Sequence, residues 1–580
     1  MSSNRNTYII AAILLLIMGI MAFFSMRGDS ATMDELSHIP AGYSYVSQKD
    51  MRINPEHPPL IKDLGGLLPY LFLNVNFPKD HESWTKDVNG QWWFGETLLY
   101  KSGNDADKII FLARIPMIFV MLILGFFVFL FAKEIGGNPT GILALTFYVF
   151  SPTFLAHGRY VTTDVAAALG FFIGIYYFLK FLKNPSKKNL IFAGIAYGIA
   201  QVLKFTVFLL TPAIPILAII WVYARGESIK KRLILSFLVL AIGFLLIYPV
   251  YLLHVWNLPI DRQIQDTQAL LGSTPFKALA KLDIWMASIP VLRPFAYYFL
   301  GLLLVFQRGI FGHTTYFLGE VSAGGWKYYF PIVYFIKTQL AFHILTLIAL
   351  IFGLKSIKKP YRQQMVSRIK AWIKENFAVF SMIAFVLAYW LVSLSGNLTL
   401  GVRHLSPIFP FMFVLISLGT VKILNALRGK SLMAGKILFI ILLAWYIIPV
   451  ILLYPHFLTY FNFVAGGPSA GSRYVVDSNL DWGQDLKRLK NWVDENNIEK
   501  IKIDYFGGGN PKYYFGEIYE KFDAKSGPQK GWLAISASPL KNGQGRPAPG
   551  FKEPTGYYNW LKEYEPITVI GNSIFVYYID

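Results

Sequence analysis

The chain has 580 residues, of which 54% are hydrophobic, 17% aromatic and only 15% charged, a balance too apolar for a soluble globular enzyme. Its formal charge of +20 does not argue for nucleic acid, because the basic residues sit in short blocks between apolar runs, as they do in the inner loops of membrane proteins. The absence of cysteine excludes disulfides and thiolate metal sites.

Taken in order, the first apolar run is "YIIAAILLLIMGIMAFF", Tyr8 to Phe24, preceded by Arg5. The flank "SMRGDSATMDEL" lacks a small-residue cleavage pattern, so the run reads as an uncleaved first span. Next comes "ATMDELSHIP". Here "TMDE" fits a capping box with Thr32 as N-cap and Glu35 at the third helical position, which leaves Asp34 free to project. His38 lies one turn after Asp34 on the same face. The loop continues with "RINPEHPPLIK", which carries Arg52, Glu56, His57 and Lys62 and uses proline to open a short helix suited to the membrane surface. A divalent metal held by His38, Glu56 and His57 stays open, although the spacing matches no zinc signature.

Ten further apolar runs recur at 109–132, 139–156, 164–182, 189–203, 205–224, 233–253, 328–353, 376–394, 405–421 and 436–454, which makes about eleven spans with the first. A cytoplasmic N-terminus places the basic stretches "KNPSKKN", "ARGESIKKR", "LKSIKKPYRQQMVSRIKAWIKEN" and "LRGKSLMAGK" inside. Segments 27–108, 254–327 and everything after 454 then lie outside the cytoplasmic membrane. Within the second of these, "VLRPFAYYFLGLLLVF" is apolar enough to cross, but a crossing there would invert every later loop, so it is assigned to the outer surface.

Ionisable residues gather at the outer ends of the runs. Asp164 opens one in "VTTDVAAA", where Thr or Asp would cap the helix, with His157 and Arg159 just before it. Arg114 in "LARIPM", Lys204 in "QVLKFT", and Arg403 with His404 in "GVRHLSP" sit near outer ends too. A charge in mid-membrane costs about 2.5 to 3.5 kcal/mol and less toward the interface. Several such cations beside acidic loops suggest an anion site. From residue 455 the pattern changes: "IKIDYF" and "SIFVYYI" alternate like strands beside the helical "DLKRLKNWVDENN". "YFGGGNP" lacks the Lys-Ser/Thr of a phosphate loop and reads as a turn. The fold class is therefore an α-helical polytopic membrane domain over 1–454, with outer loops 27–108 and 254–327 forming its working face, and an external α/β domain over 455–580.

These residues suit an amphiphile whose anionic group rests at the outer surface, such as a sugar joined through phosphate to a polyprenol. Transfer of that sugar needs one carboxylate to take the acceptor's proton, and cations to offset charge on the departing phosphate. Asp34, flanked by Glu35 and approached by Asp164, is expected to have its pKa raised by burial and by like charge. A flippase for lipid-linked sugars is the alternative, and it would be expected to carry ionisable residues at mid-membrane or repeated halves, which this sequence does not show.

The acidic pair after the first span, "PEHPPL" in the first loop, "LAR" opening the second span and "TD" opening a later one together resemble the GT-C superfamily of membrane glycosyltransferases. Within it the likeness is to the protein O-mannosyltransferase family and the related aminoarabinose transferase of lipid A. "HTTYFLGEVSAGGWKYYFPIVYFIKT" and "DSNLDWGQDLKRL" resemble its bacterial members. The resemblance implies a site on the outer face, a polyprenyl-phosphate sugar as donor, a protein, lipid or glycan acceptor, and inversion at the anomeric carbon. It assigns Asp34, Glu35 and Asp164 to the acidic motifs, and Glu56, His57 and Arg114 to the donor side. Arg159, Lys204, Arg403 and His404 join the donor side by position and charge.

Overall fold

The computed structural model describes residues 2–357 and 364–580. The middle of the expected inner loop "LKSIKKPYRQQMVSRIKAWIKEN", residues 358–363, lies outside the described residues. Among the described residues, nine helices are long and apolar enough to cross a membrane, or ten if the pair Tyr329–Lys337 and Leu340–Lys355, bent by 111°, is one broken span.

Two of these helices do not match single crossings. Ala106–Val149 has 44 residues, about 66 Å of helix against about 30 Å of hydrocarbon. Gly137, at φ 80°, breaks it, and the chain doubles back so that Tyr148 Oη donates to the Met121 carbonyl at 2.7 Å. It is thus two spans, and a side chain at Gly137 would strain the reversal. Arg293–Phe311 is the opposite case. Its first residue bonds the Leu258 carbonyl at 2.6 Å, and Asn257 in turn donates to the Lys49 carbonyl. Just past its last residue, Thr315–Phe317 and Glu320–Ser322 form a hairpin that pairs with Arg546–Pro547 of the tail. Both ends are therefore tied to one end of the bundle, and this helix lies along that end instead of crossing.

With Lys187–Gln201 as a short span packed between Asp164–Lys183 and Ile229–His254, the described chain passes between the two ends of the bundle eleven times. Asp34, Asp164, Lys204 and Arg403 share one end. The Lys180–Glu134 ion pair and the bond from Arg225 to the Lys374 carbonyl mark the other. This is a multi-pass membrane protein.

Two helices of the first loop, Met33–Gln48 and Leu60–Phe72, pack against each other at the working end. The contact is so close that a Cβ on Gly66 would lie 2.2 Å from the Gly42 carbonyl carbon. The tail carries a five-stranded sheet in the order Tyr519–Lys521, Ile501–Asp504, Gly531–Ser536, Ile574–Ile579, Thr568–Ile570. The first three strands are parallel and the last two antiparallel to their neighbours. Leu486–Glu495 packs Leu486, Leu489 and Val493 onto one face of the sheet, at a helical spacing that the strand residues Ile501, Ile503 and Val576 meet. Residues 455–484 do not join this sheet; they run across the end of the bundle.

Candidate active site

At the start of Met33–Gln48 the capping box forms as expected, with Glu35 accepting from the Thr32 N–H at 2.9 Å and from its hydroxyl at 3.1 Å. The Glu35 carboxylate is fully buried and also receives Arg114 through Nε at 2.9 Å and Nη2 at 2.6 Å, and the Val161 N–H at 3.1 Å. The remaining Arg114 donors go to the carbonyls of Met26, Asp29 and Ser30. Arg159 is buried as well, bonded to Ser25, the Tyr160 hydroxyl and the Asp29 carboxylate. These three residues do not reach the open cavity. Glu35, Arg114 and Arg159, which the sequence assigned to the acidic motif and the donor side, thus bond the loop framework at the atoms named, and Arg159 Nε is buried without a hydrogen-bond partner among the described residues.

Asp34 is different. Freed by the cap, its carboxylate meets Arg403 Nη1 at 2.6 Å, and the same nitrogen reaches Asp164 at 3.3 Å. Lys204 Nζ holds the other Asp164 oxygen at 2.6 Å. The Asp164 side chain therefore does not cap its own helix, and neither does Thr163, which makes no side-chain cap bond. Asp34, His38, Glu56, His57, Lys204, Arg403 and His404 all line one cavity of about 110 Å³. Asp164 closes it from behind through its bonds to Lys204 and Arg403.

Burial alone would raise the Asp34 carboxyl, but Arg403 and then His38 outweigh it and hold the group below the ordinary carboxylate range. The expected upward shift is thus reversed, because a guanidinium stands between the two acids. Burial lowers both His38 and His57. His38 Nδ1 bonds the Val161 carbonyl at 2.8 Å, which places its proton on that nitrogen, and its ring meets His57 edge to face at 5.1 Å. Glu56 accepts from Gln91 at 2.6 Å and Asn89 at 3.1 Å. With these partners His38, Glu56 and His57 do not converge, and among the described residues no group of three or more His, Asp or Glu is arranged to hold a metal ion. Lys62 stitches the loop behind them, donating to Tyr45, His57 and twice to Asn54, and burial pushes it down to about 7.

Several lining residues escape the sequence reading. Arg308, from the last turn of the surface helix, is an exposed cation with no carboxylate partner among the described residues. Asn54, Gln91 and Trp92 form another wall. From the tail, Trp482 lies under the Arg403 guanidinium at 4.3 Å, and burial raises the nearby Asp477 carboxyl.

Residues 106–253 match the family model described as dolichyl-phosphate-mannose-protein mannosyltransferase. That match spans about a quarter of the chain, and over it the chain is similar to this mannosyltransferase family. The matched segment holds the break at Gly137, Asp164 and Lys204, and so part of the acidic and basic groups described above. No curated protein matches the chain in sequence. Solved structures to which the chain is similar include the ArnT of Cupriavidus metallidurans bound to undecaprenyl phosphate, at 11% identity over 97% of each chain and a TM-score of 0.47. Others are the archaeal oligosaccharyltransferase AglB of Archaeoglobus fulgidus with an inhibitory peptide and dolichol phosphate, at 11% identity over 90% of this chain and 69% of that one, TM-score 0.47. The S. cerevisiae O-mannosyltransferase Pmt1-Pmt2 complex bound to its sugar donor is 16% identical over 45% and 35%, TM-score 0.36.

Proposed function

We propose that the protein is an inverting transferase that moves a sugar from a polyprenyl-phosphate donor to an acceptor hydroxyl or amine at the outer face of the cytoplasmic membrane. The observation that carries this reading is the shared cavity, in which one aspartate, Asp34, projects beside three cations at one end of the helix bundle. In the reaction, the acceptor oxygen or nitrogen attacks the anomeric carbon as its proton passes to Asp34. The bond from that carbon to the phosphate oxygen breaks, and the polyprenyl phosphate leaves with the electron pair. Phosphate is a competent leaving group without protonation, so a carboxylate held below its usual range serves as the base without a paired acid. Lys204 and Arg308 offset the charge that gathers on the phosphate. Asp164 keeps Lys204 and Arg403 oriented. Trp92 supplies a flat apolar face, and Asn54, Glu56 and Gln91 supply the donors and acceptors that sugar hydroxyls need.

The test is Asp34→Asn, assayed for sugar release from polyprenyl-phosphate donors in the full-length chain reconstituted in lipid. A base makes the rate fall by about 100- to 10,000-fold with the protein still folded. Near-normal turnover by this variant would remove the assignment. Mass spectrometry of envelope glycans from a deletion strain identifies the acceptor as protein, lipid or glycan by which one loses a sugar.

A further inference from the structure

Resting on the reading of Asp34 as the base, we propose that the tail segment 477–484 is a strap that sets the Asp34–Arg403 pair, with Trp482 as its positioning residue. The strap touches both partners. Its Trp482 carbonyl accepts from the Met33 N–H at 3.0 Å, immediately before Asp34 in the chain. Its indole, 1% exposed, lies 4.3 Å from the Arg403 guanidinium, with His157 and Tyr160 edge-on around it. Asn479 Oδ1 accepts from the Val402 N–H at 3.0 Å, and Ser478 Oγ donates to the Leu400 carbonyl at 3.0 Å, so the backbone entering Arg403 is gripped on both sides. Ser30 fixes the far end of the strap, donating to the Gln484 carbonyl through its N–H and to the Gly483 carbonyl through its hydroxyl.

A guanidinium stacked on an indole keeps its in-plane N–H groups free for carboxylates, and the strap's backbone bonds fix where that plane lies relative to Asp34. The groups that face Asp34 are Arg403 and His38 in attraction, Asp164 and the strap's own Asp477 in repulsion, and His313, just before the hairpin. Arg403 is the largest of the charges that favour the ionised form. Loosening it therefore lets burial and the two acids raise the carboxyl.

The experiment compares wild type, Trp482→Leu and Trp482→Phe in the full-length reconstituted protein. Trp482→Leu should lower kcat about 10-fold with little change in donor KM, and move the acid limb of the pH–rate profile up by about 1 pH unit. Trp482→Phe, which keeps a ring face, should restore most of both. Infrared titration of the Asp34 carboxyl, assigned with Asp34→Asn, should show the same upward shift without any donor present. That readout separates the two ideas: it holds or fails for the strap even if no sugar transfer is found. An unchanged Asp34 titration in Trp482→Leu overturns the proposal. So does a rate lowered by one factor at every pH with the acid limb in place, which would mean packing alone. If Trp482→Leu does not fold, Trp482→Met, which also lacks a ring, carries the same comparison.

Discussion

If Asp34 is the proposed base, the adjacent carboxylates at the head of one helix do opposite work, and Glu35→Gln separates them. In the native protein each Glu35 oxygen receives one Arg114 nitrogen and one backbone N–H, from Val161 on one side and Thr32 on the other. A glutamine has one acceptor oxygen. Whichever way its amide turns, its NH2 faces one Arg114 donor and one backbone donor in a fully buried place, and the guanidinium loses its counter-charge. Unmet buried donors cost about 1 to 3 kcal/mol each, and removing one partner of a buried ion pair about 3 to 5 kcal/mol in all. Asp34→Asn, by contrast, leaves Arg403 paired with Asp164 and keeps an amide oxygen that can accept from the same guanidinium, so it costs less than Glu35→Gln. Denaturant titration of the reconstituted protein, followed by tryptophan fluorescence, reads the stability. The same samples are assayed for sugar transfer. The expected pattern is Glu35→Gln destabilised but active where folded, and Asp34→Asn stable and inactive. A Glu35→Gln variant with native stability and no turnover would refute the division of labour.

Arg308→Gln should raise the donor KM by about 10-fold or more with kcat little changed, as expected for loss of a charge-assisted contact to the phosphate; an unchanged KM removes Arg308 from the donor site. Burial raises the Asp29 carboxyl, but Arg159, Arg488 and Arg114 together outweigh it and hold it at about 2, below its ordinary 3.8. Its contribution of about 2 kcal/mol is therefore present above pH 4 and lost as the pH falls through about 2, and Asp29→Asn should flatten acid unfolding in that window. Gly66→Ala forces the Met33–Gln48 and Leu60–Phe72 helices apart and should cost about 1 to 3 kcal/mol or more in the same denaturant titration, whereas an unaffected midpoint would mean the contact is softer than its geometry.

Most of the bundle was legible because lipid leaves the chain few choices. A run of apolar residues must be helical and long enough to cross, and basic blocks mark one side. Even the surface placement of Arg293–Phe311 followed from charge, since a crossing there would have inverted the loops after it. The site was readable as far as local rules reach. A capping box at "TMDE" distinguishes Asp34 from Glu35 before any fold is known. Local rules stop at tertiary partners: nothing in "LARIPM" or "HGRYVTT" says whether a buried arginine serves a ligand or the framework. Arg114 and Arg159 prove to be bound to residues some 80 to 130 positions earlier. The same blindness produced the wrong sign for Asp34, because its decisive neighbour, Arg403, is 369 residues away. Arg308 was hidden in the end of an apolar run, and Trp482 in a segment that looked like part of a separate domain.

The pairing of Ser30 with Gly483, 453 residues apart, also fixes an order of events in biosynthesis. Every membrane-spanning helix leaves the ribosome before residue 477 does. The helix bearing Asp34 must then wait for the last fifth of the chain to emerge before its neighbours are complete. A nascent or truncated chain lacking that portion is thus an inserted protein whose candidate site is unfinished. Competence is acquired as the final stage of synthesis, after the membrane portion has been committed to its topology.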